Sequence, residues 1–153
     1  MGVKGKQKQG SLDGKGLKIG IVAARYNQEI VDALLEGALA TLKEHGARAE
    51  PVLSVPGSFE IPMAAQALAD KGDVDAVICL GCVIKGETAH FEHVAEAAAK
   101  GILDVALESG VPCVFGVLTT YTEEQARARK DKGREAAETA IEMANLLKLV
   151  RGK

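Results

Sequence analysis

The chain has 153 residues, 47% of them hydrophobic, and a formal net charge of −2. That size suits one compact domain with a single core, and the charge leaves no basic field to draw nucleic acid. No apolar run approaches the roughly 18 residues of a membrane span, and the first residues lack the apolar stretch of a secretory signal. The expectation is a cytoplasmic protein whose partners include neither nucleic acid nor membrane.

Residues 1–16 are rich in Gly, Lys and Gln and predict a flexible, solvated tail. A single α/β domain is then expected over 17–153. Residues 17–24 form a short β-rich run. From 29 to 45 the spacing turns helical, with Ile30, Leu34, Leu35, Ala38, Leu39 and Leu42 on one stripe. Gly46 is the stop. A second strand is predicted at 49–55, ended by Pro56 and Gly57. Ser58 is the expected cap of the next helix, which runs through Met63, Ala64, Ala67 and Leu68 to Lys71 and Gly72. Residues 74–84 predict a third strand and 90–109 a long helix, closed by Gly110 and Pro112. The fourth strand is predicted at 113–118. Thr122 opens a last helical region, with Glu123 and Glu124 favoured in its first turn by the helix dipole. Gly133 is expected to interrupt it before it resumes over 134–150.

Apolar strands alternating with amphipathic helices predict a parallel sheet covered on both faces. The fold class expected is α/β: a flavodoxin-like three-layer sandwich with a central four-stranded parallel sheet in strand order 2-1-3-4. In such sheets ligands bind beyond the carboxyl ends of the strands.

Cysteine usage points away from redox or zinc chemistry. Three cysteines are an odd number without framework spacing, which suits a reducing compartment. Cys79 and Cys82 form a C-x-x-C, but inside an apolar strand rather than at a helix start. Residues three apart on a strand face opposite ways, and no second pair completes a zinc site. All three read as packing residues.

Polar, glycine and aromatic residues collect instead after the four strands: Arg25-Tyr26-Asn27, then 56–60 (PGSFE), 85–90 (KGETAH) and 119–121 (TTY). The only five aromatics, Tyr26, Phe59, Phe91, Phe115 and Tyr121, lie in or near these places. Any one of them could serve loop packing equally well; as a set they read as a platform for a flat ring. The run 81–88 (GCVIKGET) resembles a phosphate loop, but Glu87 stands where that motif needs lysine. A triphosphate is disfavoured, while a glycine turn leading into a helix start still suits a single phosphate. His90 stands in the first turn of that helix; alone it would read as a capping or solvent-facing histidine, and its company in a strand-end loop favours proton transfer. Glu87, His90 and His93 are the competing metal reading, without the order or fourth ligand of a zinc motif. Arg127, Arg129, Lys130, Lys132 and Arg134 form a basic cluster that reads either as a solvated face or as a phosphate clamp.

Together these motifs resemble the lumazine synthase family. The segments that carry the likeness are Arg25-Tyr26-Asn27, VPGSFEIP (55–62), GCVIKGETAHFEHV (81–94), KGILDVALESGVP (100–112), FGVLTTYTEEQA (115–126) and AIEMANLLK (140–148), within a similarity spanning about 12–148. The resemblance implies a transferase that condenses 5-amino-6-ribitylamino-uracil with 3,4-dihydroxy-2-butanone 4-phosphate. The product is 6,7-dimethyl-8-ribityllumazine, with phosphate and water released, as the penultimate step of riboflavin biosynthesis. It implies no cofactor and no metal, sites between subunits of a homopentamer, a 60-subunit icosahedral shell in some members, and riboflavin synthase as a candidate partner.

Residue by residue, the resemblance makes Tyr26 the ring-stacking aromatic, with Asn27 beside it. Gly57, Ser58, Phe59 and Glu60 hold the ribityl chain. Val83 and Ile84 offer backbone groups to the ring, and Lys85, Gly86, Glu87 and Thr88 receive the phosphate side. His90 moves protons and Arg129 binds phosphate, with Arg127 as the alternative. Phe115 closes the ring sandwich from a neighbouring subunit, which also supplies Lys132. The chain departs from the family pattern in three places. Only Lys130 and Asp131 separate Arg129 from Lys132-Gly133, Tyr121 replaces a common acidic residue, and Ala89 a frequent proline. Two competing readings keep the fold and drop the reaction: a flavin- or lumazine-binding module, and a shell-forming scaffold.

Overall fold

The structure, a computed structural model, describes residues 7–152. Its elements run β1 (Lys18–Ala24), α1 (Gln28–Glu44), β2 (Arg48–Val55), a single 3-10 turn (Ser58–Glu60), α2 (Ile61–Lys71), β3 (Ala76–Ile84), α3 (His90–Ser109), β4 (Cys113–Thr120), α4 (Glu123–Arg127) and α5 (Lys132–Arg151). The four strands are all parallel, in the order β2-β1-β3-β4. This is the expected α/β sandwich.

The two-residue period of the strands sorts the core into two layers. Ile19 and Ile21 of β1, and Ile78, Leu80 and Cys82 of β3, pack with Leu34, Ala38 and Leu42 of α1 and with Ala137, Ala140 and Ile141 of α5. Val22 of β1, and Val77, Cys79 and Val83 of β3, pack on the opposite face with Ile61, Ala65 and Leu68 of α2 and Ile102 and Val105 of α3. The C-x-x-C therefore splits between the layers, with its two thiols on opposite sides of the sheet. β3 is buried along almost its whole length, whereas β2 alternates exposed and half-buried, as an edge strand does.

Four local expectations change. Ser58 does not cap α2: it is 4% exposed and sits over Gly81, where an added Cβ would run into its Oγ. Glu60 folds back instead and accepts the Gly57 N–H at 2.9 Å. Gly133 does not break the last helix. The break lies at 128–131, and Gly133 is buried in the first turn of α5, so close to the Leu34 backbone that a Cβ would overlap its carbonyl. β4 runs two residues further than predicted, to Thr120, because Val83 and Ile84 continue the ladder opposite Thr119 and Thr120. Packing also begins ahead of residue 17. Gly10 and Gly14 are buried, Asn145 donates to the Ser11 and Asp13 carbonyls at 2.8 and 2.9 Å, and the Gly14 N–H reaches His45 O at 2.8 Å. Residues 1–6 of the expected tail lie outside the described residues.

Candidate functional site

The first wall of the site comes from the end of β1. Beyond the strand, the Arg25 N–H donates to Val55 O at 2.8 Å and the Tyr26 N–H to Pro56 O at 3.1 Å, which carries the β1–β2 pairing into the loops. Asn27 then turns the chain into α1 with φ 61°, the left-handed region that asparagine tolerates. Its side chain donates to Cys82 O at 2.8 Å and ties the turn to β3. The result is a Tyr26 ring 73% exposed on a rigid base. Phe59, on the 3-10 turn after β2, is 60% exposed. Large rings left in water beside glycine and carboxylate are informative in a way that scattered surface leucines are not.

These residues line a cleft of about 690 Å³. Tyr26, Gly57, Ser58, Phe59 and Glu60 form one side. Val83, Ile84, Gly86 and Thr88, from the end of β3 and its loop, also line it, as does His90 at the start of α3. Pro56, Cys82, Phe91, His93 and Val94 complete the lining. Of these, Val94 escaped the sequence reading, although helical spacing from His90 and Phe91 puts 93 and 94 on the same side of α3. The first turn of α3 begins at Ala89 without a side-chain cap, and Thr88 Oγ1 accepts the His90 N–H at 3.3 Å. Uncapped N–H groups of this kind suit an anion.

The remaining sequence candidates lie elsewhere. Asn27 acts through its tether to Cys82 rather than on the cleft, and Lys85 and Glu87 are exposed outside the lining. Phe115, Arg129 and Lys132 line a second concavity of about 590 Å³, bounded by β4, the 128–131 turn and the start of α5. The cleft of His90 is not lined by Arg129, and the concavity of Arg129 is not lined by His90. One chain thus presents two separate concavities.

The basic cluster divides by its partners. Arg127 donates to Glu123 and to Glu29 at 2.9 Å each, and these carboxylates hold its guanidinium firmly protonated. Arg134 is engaged by Glu44 at 3.2 Å and Glu138 at 3.6 Å. Arg129 donates to the Gln125 carbonyl at 2.9 Å, and among the described residues no carboxylate lies within ion-pair distance of it. α4 sets its position: Thr122 Oγ1 accepts the Gln125 N–H at 3.1 Å, while Gln125 Oε1 accepts from Tyr121 N at 2.8 Å. Of these two arginines, Arg127 is paired with carboxylates, and among the described residues Arg129 is not.

The thiols are not poised as nucleophiles. Burial pushes the Cys82 thiol up to about 11, aided by the nearby Glu123 charge, and burial alone pushes Cys113 up to about 11. Cys79, enclosed on all sides, is pushed higher still. Among the described residues no three His, Cys, Asp or Glu side chains come close enough to hold a metal ion.

A sequence model of the family described as 6,7-dimethyl-8-ribityllumazine synthase matches residues 16–148. A curated relative from Thermococcus kodakarensis, named 6,7-dimethyl-8-ribityllumazine synthase, is 48% identical over 149 residues, covering 95% of this chain and 96% of its own length.

Proposed function

The chain belongs to the 6,7-dimethyl-8-ribityllumazine synthase family, and on that premise we propose how its two part-sites carry out the family's reaction in riboflavin biosynthesis. The observation that carries the proposal is the pairing of an aromatic-walled cleft lined by His90 with a separate concavity lined by Arg129, which among the described residues has no carboxylate within ion-pair distance.

The pyrimidine ring of the ribitylamino-uracil stacks on Tyr26, and Phe115 of a neighbouring copy closes the other side. The ribityl chain runs along Gly57, Ser58 and Phe59, with Glu60 accepting its hydroxyl hydrogen bonds. Backbone groups of Val83 and Ile84 read the ring edge. The 4-phosphate of the butanone lies against Gly86, Glu87 and Thr88 at the start of α3, held by Arg129 and Lys132 from the neighbour, with Lys85 adding positive charge nearby. The 5-amino group attacks the ketone carbonyl and water leaves, giving an imine. Loss of the C3 proton and expulsion of phosphate give an enol, which takes up a proton to become a ketone. The ribitylamino nitrogen then closes the ring on that carbonyl and a second water leaves. His90 moves the protons, a role that contributes typically about 10²–10⁴-fold. Arg129 and the helix start stabilise the departing phosphate, and holding two small polar molecules together supplies much of the remainder.

The same proposal includes a homo-oligomer, since neither part-site is sufficient alone. A pentamer satisfies it, and a 60-subunit shell built of pentamers satisfies it equally. Residues 17–153 are the proposed catalytic unit. No described helix is long and apolar enough to cross a membrane; action in the cytoplasm and hand-over of product to riboflavin synthase complete the reading. His90→Ala is expected to lower kcat by about 10²–10³-fold. Arg129→Ala is expected to raise KM for the butanone phosphate by about tenfold or more, the worth of a charged hydrogen bond, with KM for the uracil unchanged. Steady-state kinetics with each substrate varied in turn checks both. A His90→Ala enzyme with wild-type single-turnover rate removes the proton-transfer role.

A further inference from the structure

The loop 85–89 between β3 and α3 carries Gly86, Glu87 and Thr88, and all of it is exposed. Little backbone bonding holds it. The Lys85 N–H donates to Thr120 O at 2.9 Å, His90 N–H reaches Thr88 Oγ1 at 3.3 Å, and α3 lacks a side-chain cap. A Cβ built on Gly86 meets nothing within 4 Å, so no neighbouring group presses on the loop there.

Side chains at the two ends of the loop supply a hold that the backbone does not. The ring of Tyr121, just beyond β4, lies with its centroid 6.2 Å from that of Phe91, tilted by 40°. The Lys85 ammonium sits 5.6 Å from the Tyr121 centroid, within the range of a cation–π contact. Lys85 opens the loop and Phe91 follows directly on His90, so one ring touches the chain on both sides of the segment. Tyr121 is itself anchored from below, where its N–H donates to Gln125 Oε1 at 2.8 Å. The ring remains 66% exposed, which is not the burial of a core aromatic.

We propose that Tyr121 is a positioning residue, which grips Lys85 and Phe91 and thereby fixes the 86–90 segment in the shape that receives the substrate phosphate and presents His90. The inference rests on the reading of Gly86–Thr88 as the phosphate side. It also gives a task to a residue that departs from the family pattern: a carboxylate at 121 could pair with Lys85 but could not stack on Phe91.

The test compares Tyr121→Leu with Tyr121→Phe in the full-length protein. Phenylalanine keeps the ring and its cation–π face; leucine keeps only bulk. Two readouts are taken: amide hydrogen exchange at Lys85 and His90, the bonded N–H groups at the two ends of the loop, and KM for each substrate. The expected result is faster exchange at Lys85 and His90 in Tyr121→Leu with the sheet core unchanged. KM for the butanone phosphate rises about two- to fivefold, the scale of an exposed cation–π contact, while KM for the uracil stays the same. Tyr121→Phe returns both readouts to wild type. Unchanged exchange in Tyr121→Leu, or an equal loss in both variants, overturns the proposal. Faster exchange with an unchanged KM for the phosphorylated substrate overturns the link to phosphate. Wild-type protein without synthase turnover refutes the functional reading, and the exchange comparison still decides the brace.

Discussion

Cys82 borders the cleft, yet the residue is 2% exposed and packs in the layer formed with α1 and α5. With burial raising Cys82 and Cys113 to about 11 and Cys79 beyond that, the thiolate fraction near pH 8 is very small for all three. A thiol-specific reagent at pH 8 is therefore expected to leave Cys79 and Cys82 unmodified in the folded protein and to modify all three once it is unfolded. Rapid modification of Cys82 in native protein contradicts the burial described. Much of this scale was legible beforehand, because residue type and position after a strand end already mark Tyr26, Phe59, Glu60 and His90. Ser58 was not, since a serine before a helix reads as a cap, and only the fold reveals that it lies over Gly81. The pairing of Arg127 also needed three dimensions: Glu29 is 98 positions away in the chain from the arginine it engages.

Helix and strand boundaries followed the apolar spacing closely, and α3 begins and ends where its motif and Gly110 place it. The last helical region did not. A glycine is a sound break signal when a helix stands alone, but Gly133 answers to a neighbour, with α5 crossing α1 at the Leu34 backbone. Gly133→Ala is expected to cost roughly 1–3 kcal/mol, the usual penalty for overpacking, because the obstacle is backbone and cannot swing aside. Chemical denaturation with the midpoint compared at constant slope checks this; an unchanged midpoint shows that α1 and α5 can separate freely. The change acts at the start of α5, beside Lys132, so the Arg129 concavity is expected to lose affinity before the Tyr26 cleft does. β2 lies at the edge, where the expected strand order 2-1-3-4 put it, and its alternate residues are exposed accordingly.

At the scale of the molecule, one chain places His90 and Arg129 in separate concavities. The Tyr26–His90 cleft and the Phe115–Arg129 concavity lie on different parts of the same protomer. If each working site takes His90 from one copy and Arg129 from the next, two crippled variants complement each other. Co-assembly of His90→Ala and Arg129→Ala chains in equal amounts is expected to restore about a quarter of the wild-type sites, because closed rings pair the two faces at random. No gain over the separate variants places both residues of a site on one chain. The sheet order and the layer arrangement were readable from the alternation of elements. The expectation of sites between subunits came from the family resemblance and not from spacing, since periodicity places residues along a chain and not around an assembly.

The measurement that bears most directly on the account is the synthase reaction itself. The purified protein is mixed with 5-amino-6-ribitylamino-uracil and 3,4-dihydroxy-2-butanone 4-phosphate, and lumazine fluorescence is followed above the uncatalysed rate. The account predicts saturable acceleration in both substrates with one phosphate released per lumazine formed. A rate equal to the uncatalysed background, in protein that still binds lumazine in the Tyr26 cleft, contradicts it and leaves a binding module in place of an enzyme.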